Sequence, residues 1–235
     1  MLNKIYLMDC IDGMRLMKRK SVDLIIADPP FSVALGSNKS IYGSKTDSWH
    51  DMINASYFYK ELFECFKEVA KDSCGVWLFS SWRTYCSMAA GIMKANLTPL
   101  SVLIWDKDWI SASMRGLRQS YELVILIALG DFEIPDRTLR DIQTFKWTAS
   151  KPYHPAQKPL ELVKWLIEIS GHPETILDPF VGSGTVPIAA KILGRQFIGF
   201  ETNEEYRRIA LERLSQTKLG SYSPSHKGLE KYLEE

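Results

Sequence analysis

Short apolar stretches alternate along the chain with longer stretches in which apolar residues recur every three or four positions. The apolar stretches are typical of buried strands and lie at residues 5–8, 22–28, 76–80, 100–105, 122–129, 176–178 and 196–200. The periodic stretches predict helices at residues 10–19, 56–71, 83–95, 159–170, 185–193 and from 203 onward. This alternation predicts an α/β domain with helices on both faces of its sheet.

Three polar stretches interrupt the alternation. Residues 32–52 are rich in Ser, Gly, Asn and Lys and predict a long loop after a strand, a length that is usually functional or disordered. Residues 130–153 are polar and basic and are expected at the surface, and residues 218–235 form a polar tail. Residues 1–217 are therefore expected to form one domain.

Composition narrows the class of protein. A chain of 235 residues that is 46% hydrophobic and 24% charged is long enough for one large globular domain. The N-terminus is interrupted by charge too early for a signal peptide, and no apolar run approaches membrane-spanning length. The four cysteines have no metal-ligand spacing, and because three of them lie in apolar-periodic segments, most are expected to be reduced packing residues. We therefore expect a soluble cytoplasmic protein, located with the nucleoid in a bacterial or archaeal host.

A glycine-containing segment, Ile176-Leu177-Asp178-Pro179-Phe180-Val181-Gly182-Ser183-Gly184-Thr185, predicts a strand, a tight loop and a helix N-terminus. Gly182 and Gly184 allow close backbone approach, and the free N–H groups of the helix face negative charge. Glu201 ends the next strand, where an acid in a βαβ unit binds the two ribose hydroxyls. The dinucleotide fingerprint and the Gly-Lys-Ser/Thr motif are both absent. A nucleoside that carries an amino acid therefore fits better than a dinucleotide or ATP, although the glycine segment could also be a plain loop and Glu201 a solvated helix-start acid.

A second motif, Asp28-Pro29-Pro30-Phe31, follows the strand at 22–28. Together with the glycine segment it resembles the S-adenosylmethionine-dependent amino-methyltransferases of DNA, which modify adenine N6 or cytosine N4. Because the Asp-Pro-Pro-Phe segment comes first, the order resembles the circularly permuted β group of that family. The segments that agree are Asp9-Cys10, Ile104-Trp105-Asp106-Lys107, Tyr121-Glu122 and His154-Pro155-Ala156-Gln157-Lys158-Pro159. The resemblance covers residues 4–215 and implies a Rossmann-like methyltransferase fold with a mostly parallel seven-stranded sheet.

The resemblance also implies a cofactor site for S-adenosylmethionine, with S-adenosylhomocysteine as product and no metal. Asp178, Gly182, Ser183 and Gly184 match positions that wrap the methionine part, Glu201 matches the ribose ligand, and Asp9 with Cys10 matches the adenine edge. Gln157 and Lys158 match the segment that approaches the methionine carboxylate. The remaining implied cofactor residues are Asp28, Phe180 and Thr185.

The catalytic residues implied are Asp28, Pro29, Pro30 and Phe31. An exocyclic amine is a poor nucleophile because its lone pair is delocalised into the ring, so a catalyst must draw the nitrogen toward sp³ geometry. The carboxylate of Asp28 and the carbonyl of Pro29 can accept hydrogen bonds from the two N–H groups of the amine, and Phe31 can stack on the base. No covalent intermediate is needed, and the sequence lacks the Pro-Cys pair typical of cytosine C5 methylation. The target base must be single-stranded or flipped out of the duplex.

The expected partner is double-stranded DNA with a flipped target base; a homodimer and an associated restriction endonuclease are further partners that the resemblance allows. Asp at the first motif position resembles the adenine N6 enzymes, whereas Phe31 departs from the commoner tyrosine. Residues 130–153 are the candidate target-recognition segment. The basic residues expected to rim the strand ends and bind DNA are Lys107, Arg115, Arg118, Arg137, Arg140 and Lys146.

Other interpretations stay open at this point. The chain could be a cytosine N4 or RNA methyltransferase, a nucleic-acid-binding subunit without catalysis, or a generic Rossmann oxidoreductase. A turn-stabilising role suits His154 better than catalysis, and Tyr42 and Trp49 could cover the site or only decorate the loop. Trp77, Trp82 and Trp105 are expected in the core.

Overall fold

Eight strands and six helices make up the parts of the chain that the computed structural model describes, which are residues 1–29, 49–110, 117–147 and 157–218, without the side chains of 49–53. The strands are β1 (Lys4–Leu7), β2 (Val22–Ala27), β3 (Ala70–Ser80), β4 (Pro99–Asp106), β5 (Tyr121–Gly130), β6 (Ile142–Thr144), β7 (Thr175–Asp178) and β8 (Gln196–Glu201). The helices are α1 (Cys10–Arg15), α2 (Trp49–Val69), α3 (Tyr85–Lys94), α4 (Leu160–Ile169), α5 (Thr185–Ile192) and α6 (Glu204–Gln216).

The strands form one sheet in the order β1-β8-β7-β2-β3-β5-β4-β6. All neighbouring pairs are parallel except those of β5, which runs antiparallel to β3 and to β4. The ends of the other seven strands therefore share one edge of the sheet with the start of β5. We call this edge the carboxyl edge; in open α/β sheets it is where ligands bind.

The two faces of the sheet carry separate hydrophobic cores. Side chains of α1, α2 and α3 pack on one face, and those of α4, α5 and α6 pack on the other. Trp77 and Trp105 are buried in the second core, as predicted, and each indole N–H donates a hydrogen bond, to Oγ of Ser170 and to the carbonyl of Phe145. The expectation was wrong for Trp82, which is 55% exposed just beyond the end of β3.

The sheet has one strand more than expected. The additional strand, β6, lies within the segment 130–153, which looked like plain surface. Its three residues pair with the end of β4, from Ile104 opposite Ile142 to Asp106 opposite Thr144. Such a short strand has no room for a period-two pattern, so the sequence analysis could not predict it.

The predicted loop at residues 32–52 is shorter than expected at its end, because α2 already begins at Trp49. The remaining part of that loop, with Tyr42, lies outside the described residues. All four cysteines are free thiols, and three of them are buried. Among the described residues, no helix is both long and apolar enough to cross a bilayer.

Candidate active site

The two sequence motifs meet at the carboxyl edge. Strands β2 and β7 are parallel neighbours, with Leu24 opposite Ile176 and Ile25 opposite Leu177. Asp28 follows β2 and Asp178 ends β7, so the two acids leave adjacent strands on the same side. They are close enough for the Asp28 carboxylate to raise the pKa of Asp178. The convergence that the sequence predicted is therefore present.

The glycine loop runs from β7 into α5 and uses its two glycines differently. Gly184 has φ +89°, and a Cβ there would lie 2.8 Å from the Cβ of Ala210 on α6. Gly182 has φ +51°, and a Cβ there would meet no atom within 4 Å. Gly184 therefore allows α6 to pack against the loop, whereas Gly182 leaves an open stretch of backbone that a ligand can approach.

Two further acids stand beside this loop. Asp178 is 3% exposed and accepts a hydrogen bond from the N–H of Phe180 at 3.1 Å. Burial raises the pKa of Asp178 well above its usual value; the Phe180 N–H lowers this pKa, and the carboxylates of Glu201 and Asp28 raise it further. Glu201 accepts from the N–H of Gly182 at 2.7 Å and from the N–H of Asn203 at 2.8 Å. The edge therefore gathers three carboxylates, which favours a ligand with positive charge.

Asp9 and Cys10 lie next to Glu201, because β1 pairs with β8 and the N–H of Met8 donates to the carbonyl of Glu201. Asp9 caps α1 by accepting from the N–H groups of Ile11 and Asp12. Cys10 is 3% exposed, and burial, with the Asp9 charge, raises its pKa to about 12. Cys10 is therefore a neutral thiol beside the site.

A row of alternating charges runs from Asp28 across the sheet. Nζ of Lys158 lies 2.8 Å from Oδ2 of Asp28 and 3.3 Å from Oε2 of Glu122. Nζ of Lys107 lies 2.6 Å from Oε1 of Glu122. We call these four residues, Asp28, Lys158, Glu122 and Lys107, the charge ladder. The structure thus places Lys158 against Asp28, and its predicted contact with the methionine carboxylate stays a prediction.

Burial shifts the pKa of three members of the ladder, Asp28, Glu122 and Lys158, and the opposite charges beside them counter it. Burial raises the pKa of Asp28 above its usual value, and Lys158 counters only part of this effect. Burial also favours the neutral form of Glu122, but Lys158 and Lys107 outweigh it and lower the pKa of Glu122. The two carboxylates in turn outweigh burial at Lys158 and raise its pKa. Lys158 is therefore charged at neutral pH.

The other predicted cofactor and catalytic residues also lie at this edge where the structure describes them. Ser183, Thr185 and Pro29 are buried, and Phe180 and Gln157 are half-buried. Pro30, Phe31 and His154 lie outside the described residues. Within the described part of the chain, no group of three or more His, Cys, Asp or Glu side chains is arranged to hold a metal ion.

The predicted DNA-binding residues do not form one surface. Lys107 belongs to the charge ladder, Arg118 and Lys146 are exposed near the carboxyl edge, and Arg115 lies outside the described residues. Arg137 and Arg140 instead line a cavity of about 400 Å³ with residues from the start of β4 and the end of α4. The expectation that these two rim the strand ends was wrong, because the chain leaves β5 at the opposite edge and returns only through β6.

Sequence reasoning missed two features of the carboxyl edge. Glu122 was noted only as part of a matching segment, and its place between two lysines follows from the antiparallel direction of β5. Trp109, which is 48% exposed, packs on Trp147 with ring centroids 5.3 Å apart, just beyond β4 and β6.

Comparison with known proteins connects this arrangement to a family. A sequence profile described as DNA methylase, for N6 and N4 methylation, matches residues 22–212. The Escherichia coli strain K12 protein YubD, which is named as a methylase, is 31% identical over 211 residues, with 88% of each chain covered.

Solved structures show the same fold. The complex of M1.HpyAVI with S-adenosylmethionine aligns with a TM-score of 0.67 at 23% identity, covering 90% of this chain and 98% of that one. The PvuII cytosine-N4-specific DNA methyltransferase aligns with a TM-score of 0.70 at 15% identity, covering 97% of this chain and 89% of that one. The predicted Rossmann-like fold is confirmed, with eight strands in place of seven.

Proposed function

The chain belongs to the DNA methylase family that covers N6 and N4 methylation, and from this premise we propose that it transfers a methyl group from S-adenosylmethionine to N6 of adenine in DNA. The single observation that carries the proposal is the meeting of Asp28 with the glycine loop on the adjacent parallel strands β2 and β7. A donor held at the loop and a base amine held at Asp28 would share one site.

The residues of the loop fit this cofactor. The backbone at Gly182 is open to a ligand, and Glu201 stands beside it with both carboxylate oxygens engaged by N–H groups. Each carboxylate oxygen can accept more than one hydrogen bond, so Glu201 retains capacity for the ribose hydroxyls. The carboxylates of Asp28, Asp178 and Glu201 suit the positive charges of the methionine amino group and the sulfonium. Asp9 and Cys10 lie on the far side of Glu201, where the adenine edge is expected.

Asp28 supplies the polar chemistry of the reaction. Its Oδ1 atom is buried and has no hydrogen-bond partner among the residues that the structure describes. This oxygen and the carbonyl of Pro29 can accept hydrogen bonds from the two N–H groups of the amine. These hydrogen bonds would draw the nitrogen toward a nucleophilic geometry. When bound, S-adenosylmethionine supplies an electrophilic methyl group. The contribution of the protein is mainly positioning and electrostatic stabilisation.

The choice of adenine rests on the resemblance of the first motif, because Asp28 stands where cytosine N4 enzymes more often carry serine. Cytosine N4 is the second candidate, since the PvuII enzyme of similar fold is specific for it. Both chemistries require the base to leave the duplex, because Asp28 is half-buried at the end of β2 and its Oδ1 atom is fully buried.

Double-stranded DNA is the partner we propose, approaching from the carboxyl edge. Residues 145–147, which follow β6, are the described part of the candidate target-recognition segment that reaches this edge. A homodimer, an associated endonuclease and a cytoplasmic location remain predictions from the sequence.

A methyl transfer assay tests the proposal. Labelled S-adenosylmethionine is incubated with the protein and unmethylated genomic DNA, and the DNA is then digested to nucleosides that are separated by chromatography. We expect label in N6-methyldeoxyadenosine, and a loss of about 10²–10⁴-fold in the Asp28→Asn variant, which keeps the shape but removes the charge. Asp72→Asn is the matched control, because this side chain is 83% exposed near the start of β3 and pairs only with Lys20 among the described residues.

Label in N4-methyldeoxycytidine would reassign the target base and leave the chemistry of Asp28 in place. Label in RNA alone would overturn the assignment to DNA. Full activity of Asp28→Asn would overturn the proposed role of Asp28.

A further inference from the structure

The two carboxylate oxygens of Asp28 have unequal surroundings. Oδ2 lies 2.8 Å from Nζ of Lys158, whereas Oδ1 is buried and lacks a hydrogen-bond partner within the described ranges. A buried acceptor without a donor is unfavourable, so a donor that arrives with a ligand would be bound there. The ion pair to Lys158 occupies Oδ2 and leaves Oδ1 as the oxygen of Asp28 with unused capacity to accept a hydrogen bond.

Lys158 has little freedom to leave this position. It is 7% exposed, its Nζ lies 3.3 Å from Oε2 of Glu122, and the ring of Phe79 lies 5.0 Å from the same atom. Two carboxylates and an aromatic face therefore enclose one ammonium group.

Glu122 is fixed in the same way from its other side. Its Oε1 atom lies 2.6 Å from Nζ of Lys107, which in turn lies 5.2 Å from the ring centroid of Trp105. The side chains of Lys107 and Glu122 are only 15% and 13% exposed, so solvent screens this pair weakly. Glu122, near the start of β5, and Lys107, just after β4, therefore hold each other in place.

The ladder alternates two carboxylates with two ammonium groups, so its formal charge is zero. Without Lys158, the carboxylates of Asp28 and Glu122 would face each other in a buried space. Two such groups cannot both stay ionised at low cost, and one of them would take up a proton. A protonated Asp28 would be a weaker acceptor for an amine.

Other ionisable groups also face Asp28. Asp178 ends the neighbouring strand β7, and the negative charge of Asp28 raises its pKa. Tyr59 of α2 is buried, and burial together with the Asp28 charge raises its pKa, so it is neutral. Among the described residues, Lys158 is the cation that contacts Asp28, and Lys107 lowers the pKa of Asp28 from the far end of the ladder.

We propose that Lys158 and Glu122 are positioning residues for methyl transfer, with Lys158 holding Oδ2 of Asp28 so that Oδ1 faces the target amine, and Glu122 holding Lys158. This inference rests on the proposed function for the identity of the amine. It differs from the role that the resemblance implied for Lys158, because a lysine that binds the methionine carboxylate would act on cofactor affinity.

The test compares Lys158→Met, Lys158→Arg and Glu122→Gln with the unmodified protein. Lys71→Met is the matched control, because Lys71 pairs with Asp23 at 2.8 Å at the other end of the same strand, β2. Three quantities are measured: the dissociation constant of S-adenosylmethionine by calorimetry, kcat of methyl transfer against pH, and the ¹³C shift of the Asp28 carboxyl against pH, assigned by its loss in Asp28→Asn.

For Lys158→Met we expect kcat at neutral pH to fall about 10²-fold or more. The carboxyl titration of Asp28 and the acid limb of kcat should both move to higher pH by about 1–3 units, as expected when a contacting opposite charge is lost. The dissociation constant of the cofactor should change by less than about 3-fold, which is under 1 kcal/mol. The Lys158→Arg variant should keep part of the kcat that Lys158→Met loses. Glu122→Gln should lower kcat less than Lys158→Met does. The control Lys71→Met should leave all three quantities unchanged.

Weaker cofactor binding in Lys158→Met with an unshifted Asp28 titration would overturn the proposal and make Lys158 a cofactor ligand. An unchanged kcat in that variant would make the ladder purely structural. If the unmodified protein methylates no nucleic acid, the proposed function fails, and the carboxyl titration still shows whether Lys158 controls the charge of Asp28. If Lys158→Met does not fold, the arginine and glutamine variants decide by the same measurements.

Discussion

The backbone N–H of Gly182 donates to Oε2 of Glu201 over 2.7 Å, which joins the loop after β7 to the end of β8. Oε1 of the same carboxylate accepts from the N–H of Asn203, the N-cap of α6. Glu201 therefore has a structural role besides the ribose contact we propose: it fixes the loop at the point where the backbone is open.

Replacing Glu201 by alanine should weaken the binding of S-adenosylmethionine. A hydrogen bond to a charged group contributes about 1.5–3 kcal/mol, so the dissociation constant should rise by about 10–100-fold at pH 7. Calorimetric titration measures this change. Glu205→Ala is the control, since Glu205 lies on the exposed first turn of α6 and pairs with Arg208. Equal affinities of the two variants would remove Glu201 from the cofactor site.

Replacing Gly184 by alanine should mainly lower the stability of the fold, whereas replacing Gly182 by alanine should mainly weaken cofactor binding. Gly184→Ala places a Cβ 2.8 Å from Ala210 at φ +89°, so we expect a loss of about 1–3 kcal/mol of unfolding free energy. Gly182→Ala places its methyl group in open space at φ +51°, which costs only about 1–2 kcal/mol, but should weaken cofactor binding more strongly. Urea denaturation and calorimetry on both variants check this. An unaltered cofactor affinity in Gly182→Ala would show that the ligand does not approach this backbone.

The position of the site could be read from the sequence because of the topology of parallel sheets. Two buried apolar runs end in Asp28 and Asp178, and the ends of parallel strands share an edge. Glu201 follows the same logic from the next strand. These residues needed only a correct assignment of strands and their direction.

The charge ladder could not be read in the same way. Glu122 is the second residue of β5, and only the antiparallel pairing of β5 brings a strand start to the carboxyl edge. An apolar run carries no information on the direction of a strand. Lys158 lies 130 positions after Asp28 in the sequence, and their contact depends on how the chain enters α4. Arg137 and Arg140 were misplaced for a related reason, because the chain leaves β5 at the edge opposite the site.

The methyl transfer rate should depend on pH through Asp28. Burial raises the pKa of Asp28, so this acid takes up a proton at a higher pH than an ordinary aspartate does. As the pH falls through that raised pKa, the carboxylate is lost and kcat/KM for DNA should fall about tenfold per pH unit. The acid limb should therefore lie above the usual aspartate value of 3.8. Assays at saturating cofactor, with circular dichroism at each pH as a control for folding, measure it. An acid limb at or below that value would contradict the assigned ionisation.

Basic residues on the two edges should differ in their effect on DNA binding. Arg118 and Lys146 lie near the carboxyl edge, whereas Arg137 and Arg140 line the cavity on the other side. Each lost phosphate contact lowers the slope of log K against log salt by about 0.9. The Arg118→Ala/Lys146→Ala double variant should therefore show a smaller slope, and Arg137→Ala/Arg140→Ala should match the unmodified protein. Fluorescence anisotropy with a labelled duplex at several salt concentrations measures both slopes. A reduced slope for the second pair alone would mean that DNA approaches the opposite edge, which would separate DNA binding from Asp28 and from the glycine loop.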